Sequence, residues 1–205
     1  MDAAARPATP RPMRHWLFHP ILFYPLMALL AVFVVALSLQ PQSWPRDPAP
    51  VTAARDGEWL VWSGEAFDTP SADERHEIMV VRDFFGRAQN LRIAQKASGE
   101  PAPEERGARI LLSPEDAAAL QGRRLTVEVS YNPLPVNAAP ALAVAAGGDG
   151  PTAWVRQDTP PQPATLRFQL PAQSEVNAIA LRAISAADDQ AYGLEITRIR
   201  ISPQT

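Results

Sequence analysis

The residue types that most often carry chemistry are sparse in this sequence. Of its three histidines, His15 and His19 lie near the N-terminus and only His76 lies further along the chain. His76 belongs to the charged run 73–77, where a metal site or a general base competes with a solvated loop, and the solvated loop is our prediction. No G-x-S-x-G, H-E-x-x-H or P-loop motif occurs, and there is no cysteine. We therefore expect a protein without catalytic activity, metal or cofactor.

Aromatic side chains with polar neighbours are the candidates for ligand binding. Sugar rings stack on flat aromatic faces, while polar neighbours bind their hydroxyl groups. Trp154 lies close to Arg156, and Tyr131 precedes Asn132. The alternative for both rings is packing in the core, which is favoured for Tyr131 because it shares the parity of an apolar strand face.

The adjacent pair Phe84 and Phe85 is a third candidate contact. It is flanked by Arg82, Asp83 and Arg87, an arrangement typical of an apolar interface anchor with a polar rim. Neighbouring residues of a strand face opposite sides, so a continuing strand would expose one of the two rings. Packing of both rings in the core is the default alternative.

The element expected before these residues is a membrane helix. Residues 15–45 contain no Asp, Glu, Lys or Arg, and residues 21–39 are almost entirely apolar. A helix of that length is about 28 Å long, close to the hydrocarbon thickness of a bilayer. The sequence therefore predicts a transmembrane helix over 20–40. A cleaved signal peptide is the alternative, because Ala36-Leu37-Ser38 resembles a cleavage site.

Charges beside this helix predict its orientation. The N-terminal flank contains Arg6, Arg11 and Arg14, whereas the basic residues of the other flank are offset by acids. The positive-inside rule then predicts a cytoplasmic tail over 1–19 and a periplasmic domain. The abundance of Ala, Pro and Arg is typical of GC-rich bacterial genomes, so the membrane would be a bacterial inner membrane. The prolines of 41–56 predict an extended linker.

The remaining residues, 57–203, have the pattern of one β domain. Apolar and polar residues alternate over Leu125–Tyr131 and Leu166–Leu170, as in half-buried strands. The parity of the apolar positions changes between Leu194–Ile196 and Ile199–Ile201, which predicts a β-bulge near Thr197 and Arg198. Short apolar runs at 59–62 and 78–81 predict buried strands. These patterns predict an all-β antiparallel sandwich.

One helical turn interrupts the strands. Ser113 is a predicted N-cap, followed by Pro114 and two acids, and Gly122 is the predicted stop. The strand 109–112, this helical turn and the strand 123–129 together resemble galactose-binding-like jelly rolls, the fold of many carbohydrate-binding modules. The closing strand, 194–201, is similar to the last strand of those folds. The resemblance covers 57–203 and implies a jelly-roll-like sandwich with one short helical turn. It implies no particular contact residues.

Three functional hypotheses follow, of which the third is an enzyme with an unrecognised site. The first is a membrane-anchored, periplasmic, non-catalytic binding module of the cell envelope that recognises a glycan, which predicts a concave aromatic and polar patch. The second is an accessory subunit of an inner-membrane protein complex, which predicts a flat, exposed apolar patch. Nucleic acid is not an expected partner, because the net charge is −3.

Overall fold

The computed structural model of the chain describes residues 20–38, 46–148 and 153–204. Helix α1 comprises Pro20–Ser38, and its described side chains, 22–37, are all exposed. Among the described residues, no helix has the length and apolar character needed to cross a membrane. The structure therefore does not support the span predicted over 20–40, and the predicted tail 1–19 lies outside the described residues. Helix α1 belongs to one compact unit, and a second unit covers 42–205.

The second unit is a sandwich of two antiparallel sheets, as the sequence predicts. The strands of the seven-stranded sheet are β1 (Ala54–Asp56), β2 (Trp59–Ser63), β4 (His76–Arg82), β5 (Ala88–Gln95), β7 (Leu125–Pro133), β10 (Ala164–Leu170) and β12 (Tyr192–Pro203). The strands of the five-stranded sheet are β3 (Ser71–Ala72), β6 (Ala108–Leu111), β8 (Ala141–Gly147), β9 (Val155–Asp158) and β11 (Ala178–Ile184).

Strand β12 organises the larger sheet. One of its edges pairs first with β5 and then with β2, while its other edge pairs with β7. The register with β7 shifts between Ile196 and Arg198, which confirms the predicted bulge. Because of this extra residue, Ile196 and Ile199 are both buried although their parities differ.

The core lies between the two sheets. The alternating face of β7 predicted from the sequence points inward, including Val127 and Tyr131, and meets Leu181 and other apolar residues of β11 within one cluster. The apolar run 78–81 was predicted as a buried strand, but the strand that contains it, β4, is only partly buried. Strand β4 is paired with β5 only, at the edge of the sheet, and its Met79 is 51% exposed.

The predicted helical turn is helix α2, Pro114–Leu120. The hydroxyl of Ser113 accepts a hydrogen bond from the backbone N–H of Asp116 at 3.2 Å, which confirms the N-cap. Gly122 follows the helix with a φ of 72°, a backbone conformation that glycine adopts without strain.

Part of the segment interpreted as a linker is bonded to the sandwich. The N–H of Ala49 donates to the carbonyl of Thr69, and the N–H of Val51 donates to the carbonyl of Leu111 at 2.9 Å. Strand β1 then continues along β2. The described residues from 49 onward therefore belong to the folded unit.

Candidate functional site

The turn between β4 and β5, residues 83–87, is held by hydrogen bonds between its own residues. The N–H of Asp83 donates to the carbonyl of Arg87 at 2.9 Å, and the N–H of Gly86 donates to the carbonyl of Asp83 at 3.0 Å. Gly86 has a φ of 79°, in the left-handed region that glycine tolerates. These bonds end the strand pairing and reverse the chain direction.

The side chain of Asp83 holds this turn in shape. Its Oδ1 atom accepts hydrogen bonds from the N–H groups of Phe85 and Arg87, both at 2.9 Å. Its Oδ2 atom accepts from the Arg87 guanidinium, also at 2.9 Å. The hydrogen bond from the Arg87 backbone N–H lowers the pKa of the Asp83 carboxyl most strongly. The Arg87 side chain and the Phe85 N–H lower this pKa further, and together these bonds outweigh the effect of desolvation. The ionised carboxylate therefore fixes the backbone that presents the two phenylalanines.

Both phenylalanines of this turn are exposed. The Phe84 side chain is 86% exposed and that of Phe85 is 78% exposed, so neither packs in the core. The cause is the end of β4 at Arg82, since residues after it no longer alternate between core and solvent. The rings meet edge to face with centroids 5.5 Å apart, and the Arg87 guanidinium lies 5.6 Å from the Phe85 centroid.

A groove of about 420 Å³ lies beside Phe85. Its walls combine this aromatic ring with charged and small residues, namely Arg46, Glu65, Asp68, Phe85, Gly86, Arg87 and Ala88. The carboxylate of Asp68 accepts hydrogen bonds from both Arg46 and Arg82, one on each oxygen. Arg82 also donates to the carbonyl of Gly86 at 3.2 Å, which ties the groove wall to the turn. The site is therefore a concave surface with one aromatic face and several charged groups.

Sequence reasoning identified Arg82, Phe84 and Phe85 but missed Arg46, Glu65 and Asp68. Glu65 and Asp68 lie in and just after the 3₁₀ turn Gly64–Phe67, and Arg46 lies in the segment interpreted as a linker. No local pattern joins these residues to Phe85. The hydrogen bonds of Arg46 and Arg82 to Asp68 join these segments in the folded protein.

Tyr131 lies elsewhere, in the core between the sheets. Its side chain is 1% exposed, and its hydroxyl donates a 2.9 Å hydrogen bond to the carbonyl of Pro160. Burial raises the pKa of this hydroxyl. Tyr131 therefore packs in the core, as the sequence favoured, and its ring offers no surface for a ligand.

Trp154 is half-buried on the outer side of the five-stranded sheet. It packs against a small cluster formed by Ala141, Ala143 and Ile184. A methyl group on Gly107 would lie 2.8 Å from the Trp154 ring, so the backbone of Gly107 is in close contact with the indole. The ring is thus enclosed on two sides. Its N–H is buried and has no hydrogen-bond partner within the described part of the chain.

Arg156 follows on the same sheet and is exposed. Its guanidinium forms ion pairs with Glu100 and, at 3.6 Å, with Asp158. The hydrogen bond to Glu100 raises the pKa of Arg156. Neither Trp154 nor Arg156 lines the groove beside Phe85, so the sequence-predicted contact residues fall on different parts of the sandwich.

The prediction that His76 lies in a solvated loop is wrong, because His76 is buried at the start of β4. Its side chain is 1% exposed, its Nδ1 atom is hydrogen-bonded to Asp73, and its Nε2 atom lies 3.5 Å from the carboxylate of Glu105. Glu105 in turn forms an ion pair with Arg182 at 2.9 Å and accepts a hydrogen bond from Gln95 at 2.8 Å. Desolvation raises the pKa of Asp73, but the bonds from His76 and two backbone N–H groups outweigh it and lower that pKa. Within the described ranges, no group of three or more His, Cys, Asp and Glu residues is arranged to hold a metal ion.

No protein-family model matches the chain, and no curated protein matches it. Similar solved structures include the N-terminal CBM22-1–CBM22-2 tandem domain of Xyn10C from Paenibacillus barcinonensis, at 17% identity and a TM-score of 0.45, over 75% of this chain and 47% of that one. Another is the apo form of the BiXyn10A CBM1 domain, at 10% identity and a TM-score of 0.40, over 77% of this chain and 98% of that one. A third is a xylan-binding domain from CBM 22, at 12% identity and a TM-score of 0.37, over 78% of this chain and 97% of that one.

This chain spans about half the length of the first of these structures. All three structures are carbohydrate-binding modules, which confirms the resemblance predicted from the sequence. At these TM-scores and identities, it carries no argument about what this chain binds.

Proposed function

We propose that this protein is a non-catalytic glycan-binding module of the bacterial cell envelope, anchored in the inner membrane with its sandwich in the periplasm. The observation that supports binding is the groove beside Phe85, where an exposed aromatic ring and charged side chains share one concave surface. A concave aromatic and polar patch is the feature that distinguishes the glycan hypothesis from the accessory-subunit hypothesis.

The groove contains the groups that a sugar requires. The Phe85 ring provides an apolar face for the C–H groups of a pyranose ring. The Asp83 bonds hold the backbone that carries Phe85 before a ligand arrives. Arg46 and Arg87 offer N–H donors, and the exposed carboxylate of Glu65 offers acceptors for hydroxyl groups.

The anchor and the location are supported by the sequence. The uncharged run 15–45 includes α1, whose described side chains are apolar or small and exposed. A helix that is apolar on all sides is stabilised by an apolar environment, and a lipid bilayer is one such environment. The arginines before the helix favour a cytoplasmic N-terminus.

Phe85→Ala in the full chain tests the glycan proposal. An array of envelope and plant polysaccharides first identifies the glycans that bind the parent protein. Calorimetry in solution then measures the affinity of the parent and of the variant for those glycans. Truncating an aromatic anchor costs about 2 kcal/mol or more, so we expect the dissociation constant to rise roughly thirtyfold. Val136→Ala is the matched control, because Val136 is a 72% exposed apolar residue outside the groove.

Three outcomes would count against this site or against the proposal. Unchanged affinity in Phe85→Ala, with unfolding midpoints equal to the parent, would remove the groove from the proposal. If Trp154→Ala abolished binding instead, the glycan site would move to the five-stranded sheet. A parent that binds no glycan at all would overturn the proposal.

The accessory-subunit function is a second candidate, and Phe84 favours it. This ring is 86% exposed and is not part of the groove wall. Crosslinking in native membranes followed by mass spectrometry would identify a protein partner. Loss of that partner in Phe84→Ala, with glycan binding intact, would support this candidate.

A further inference from the structure

Strand β4 is a free edge of the seven-stranded sheet. It pairs with β5 on one side, and no strand of the described residues pairs with its other side. The backbone N–H of His76 is directed away from β5, because it donates to the carbonyl of Asp73 at 3.2 Å. Backbone polar groups alternate between the two edges of a strand, so those of Ile78 and Val80 also point to the free edge. They form a template for hydrogen bonding to another strand.

The side chains of β4 do little to protect this edge. Residues 78–81 contain no charged residue and no proline, and the irregularity in the pairing with β5 comes only after them, between Val81 and Arg82. Met79 is 51% exposed on the outer face of the sheet. Ile78 and Val80 pack against the core but are only partly buried. Natural sheets normally pair, cover or charge an apolar edge of this kind.

Strand β10, another free edge of the same sheet, is protected in these ways. It pairs with β7 only, and its central residue Arg167 is exposed, charged and paired with Glu128 at 2.6 Å. The side chain of Gln157, in β9, donates a hydrogen bond to the backbone carbonyl of Arg167 at 2.6 Å. A charge within the strand and a side chain bonded to its backbone both oppose the addition of a further strand. The contrast marks the edge of β4 as the one suited to pairing.

The sequence of β4 is complementary to itself. Antiparallel pairing of two copies about Met79 places Met79 opposite Met79, Ile78 opposite Val80, and Glu77 opposite Val81. The Ile78 and Val80 pairs lie on the core face, so pairing would bury these two side chains further. No like charges face each other, because Glu77 meets an apolar residue, whereas directly opposed like charges would be destabilising.

From these observations we infer that β4 is the interface of a symmetric dimer of this chain. A second copy adds its own β4 in antiparallel orientation, with the twofold axis at Met79, and the two seven-stranded sheets become one continuous sheet. The groove beside Phe85 follows Arg82 at the end of β4, so the dimer carries its two grooves at opposite ends of the paired strands. The inference depends neither on glycan binding nor on the membrane anchor.

The absence of cysteine from the sequence permits a test of this register. Residues opposite each other in a non-hydrogen-bonded antiparallel pair have Cα atoms about 4.5 Å apart, within the range that a disulfide spans. Met79→Cys in the full chain, purified in a mild detergent and oxidised with copper phenanthroline, should therefore form a covalent dimer. Val136→Cys is the control, because Val136 is 72% exposed and lies outside β4, and it should form little dimer.

A second set of variants tests the same register without Met79. Glu77→Cys alone and Val81→Cys alone should not crosslink, since each lies opposite the other residue. The double variant should crosslink between copies, because positions 77 and 81 of one strand are about 13 Å apart and cannot be joined within it.

The mass of the chain without cysteine, from light scattering, should be that of a dimer. Met79→Lys places two like charges opposite each other and should give a folded monomer, whereas Val136→Lys should remain dimeric. A monomeric parent would overturn the inference. A dimeric parent in which Met79→Cys forms no more covalent dimer than Val136→Cys would also overturn it, and would assign the dimer contact to another part of the chain.

Discussion

The backbone N–H of Ala53 donates a 2.8 Å hydrogen bond to the Oδ2 atom of Asp116, across 63 residues of sequence. The same oxygen accepts from the hydroxyl of Ser113 at 2.9 Å. Asp116 is fully buried, so this carboxylate joins the segment before β1 to the first turn of α2 inside the protein. A residue predicted only as an acid in a helical first turn thus also fastens the start of the folded unit.

Asp116→Ala should destabilise the sandwich. Hydrogen bonds to a charged group contribute about 1.5–3 kcal/mol, and the substitution leaves a buried N–H without a partner. Denaturant unfolding of the full chain would measure the loss. Glu115→Ala is the control, because Glu115 makes an exposed ion pair with Arg55 that should contribute about 0–1 kcal/mol. Equal midpoints for the two variants would contradict this role of Asp116.

Ser113→Ala should cost about 0.5–2 kcal/mol of unfolding free energy, because its hydroxyl caps the N-terminus of α2. The chain contains a matched control in Ser63, which precedes the 3₁₀ turn Gly64–Phe67 but makes no side-chain capping bond. Ser63→Ala should leave the unfolding midpoint within error of the parent. A comparable loss in both variants would show that capping is not the cause.

The Asp83 turn should weaken in acid. The folded-state pKa of Asp83 lies below its ordinary value of 3.8, so its ionised form stabilises the fold above that pH. This contribution is lost as the pH falls from about 3.8 through the folded-state pKa. Asp83→Asn keeps an oxygen acceptor but has no charge. The parent should therefore be more stable than this variant at pH 6, and the difference should disappear in stronger acid.

Unfolding midpoints of the parent and of Asp83→Asn, measured from pH 6 down to the acid limit of folding, would check this expectation. Both proteins should lose stability in acid, because the pKa values of Asp73 and Asp188 are also lowered. Only the difference between the two proteins reports on Asp83. A difference that stays constant with pH would mean that the charge of this carboxylate does not hold the turn.

The proposed anchor predicts how the full chain behaves in cells. We expect it to stay with the membrane fraction after alkaline carbonate washing, because α1 would lie in hydrocarbon. A C-terminal alkaline phosphatase fusion should be active if the sandwich is periplasmic. A soluble product beginning near Leu39 would instead identify the segment as a cleaved signal peptide.

Much of the sandwich was predictable, and the missed strands have a clear physical reason. Strand β7 and the bulge in β12 follow from alternating or parity-shifted apolar residues. Strand β8, with the sequence Ala-Leu-Ala-Val-Ala-Ala-Gly, has no polar face because it is almost entirely buried, and alanine has little preference for strands. Strand β5 was also missed, because its half-buried polar positions resemble a loop.

The sequence by itself determined the β architecture, the capped helix α2 and the presence of an adjacent phenylalanine pair with charged neighbours. These features depend on residues close together in the chain, whose periodicity and capping chemistry are local. Only the tertiary structure decided that His76 is buried, that both phenylalanines are exposed, and that Arg46 and Phe85 line one groove. The burial of a charged segment and the shape of a groove depend on which distant segments pack together, and the periodicity of one strand does not contain that information.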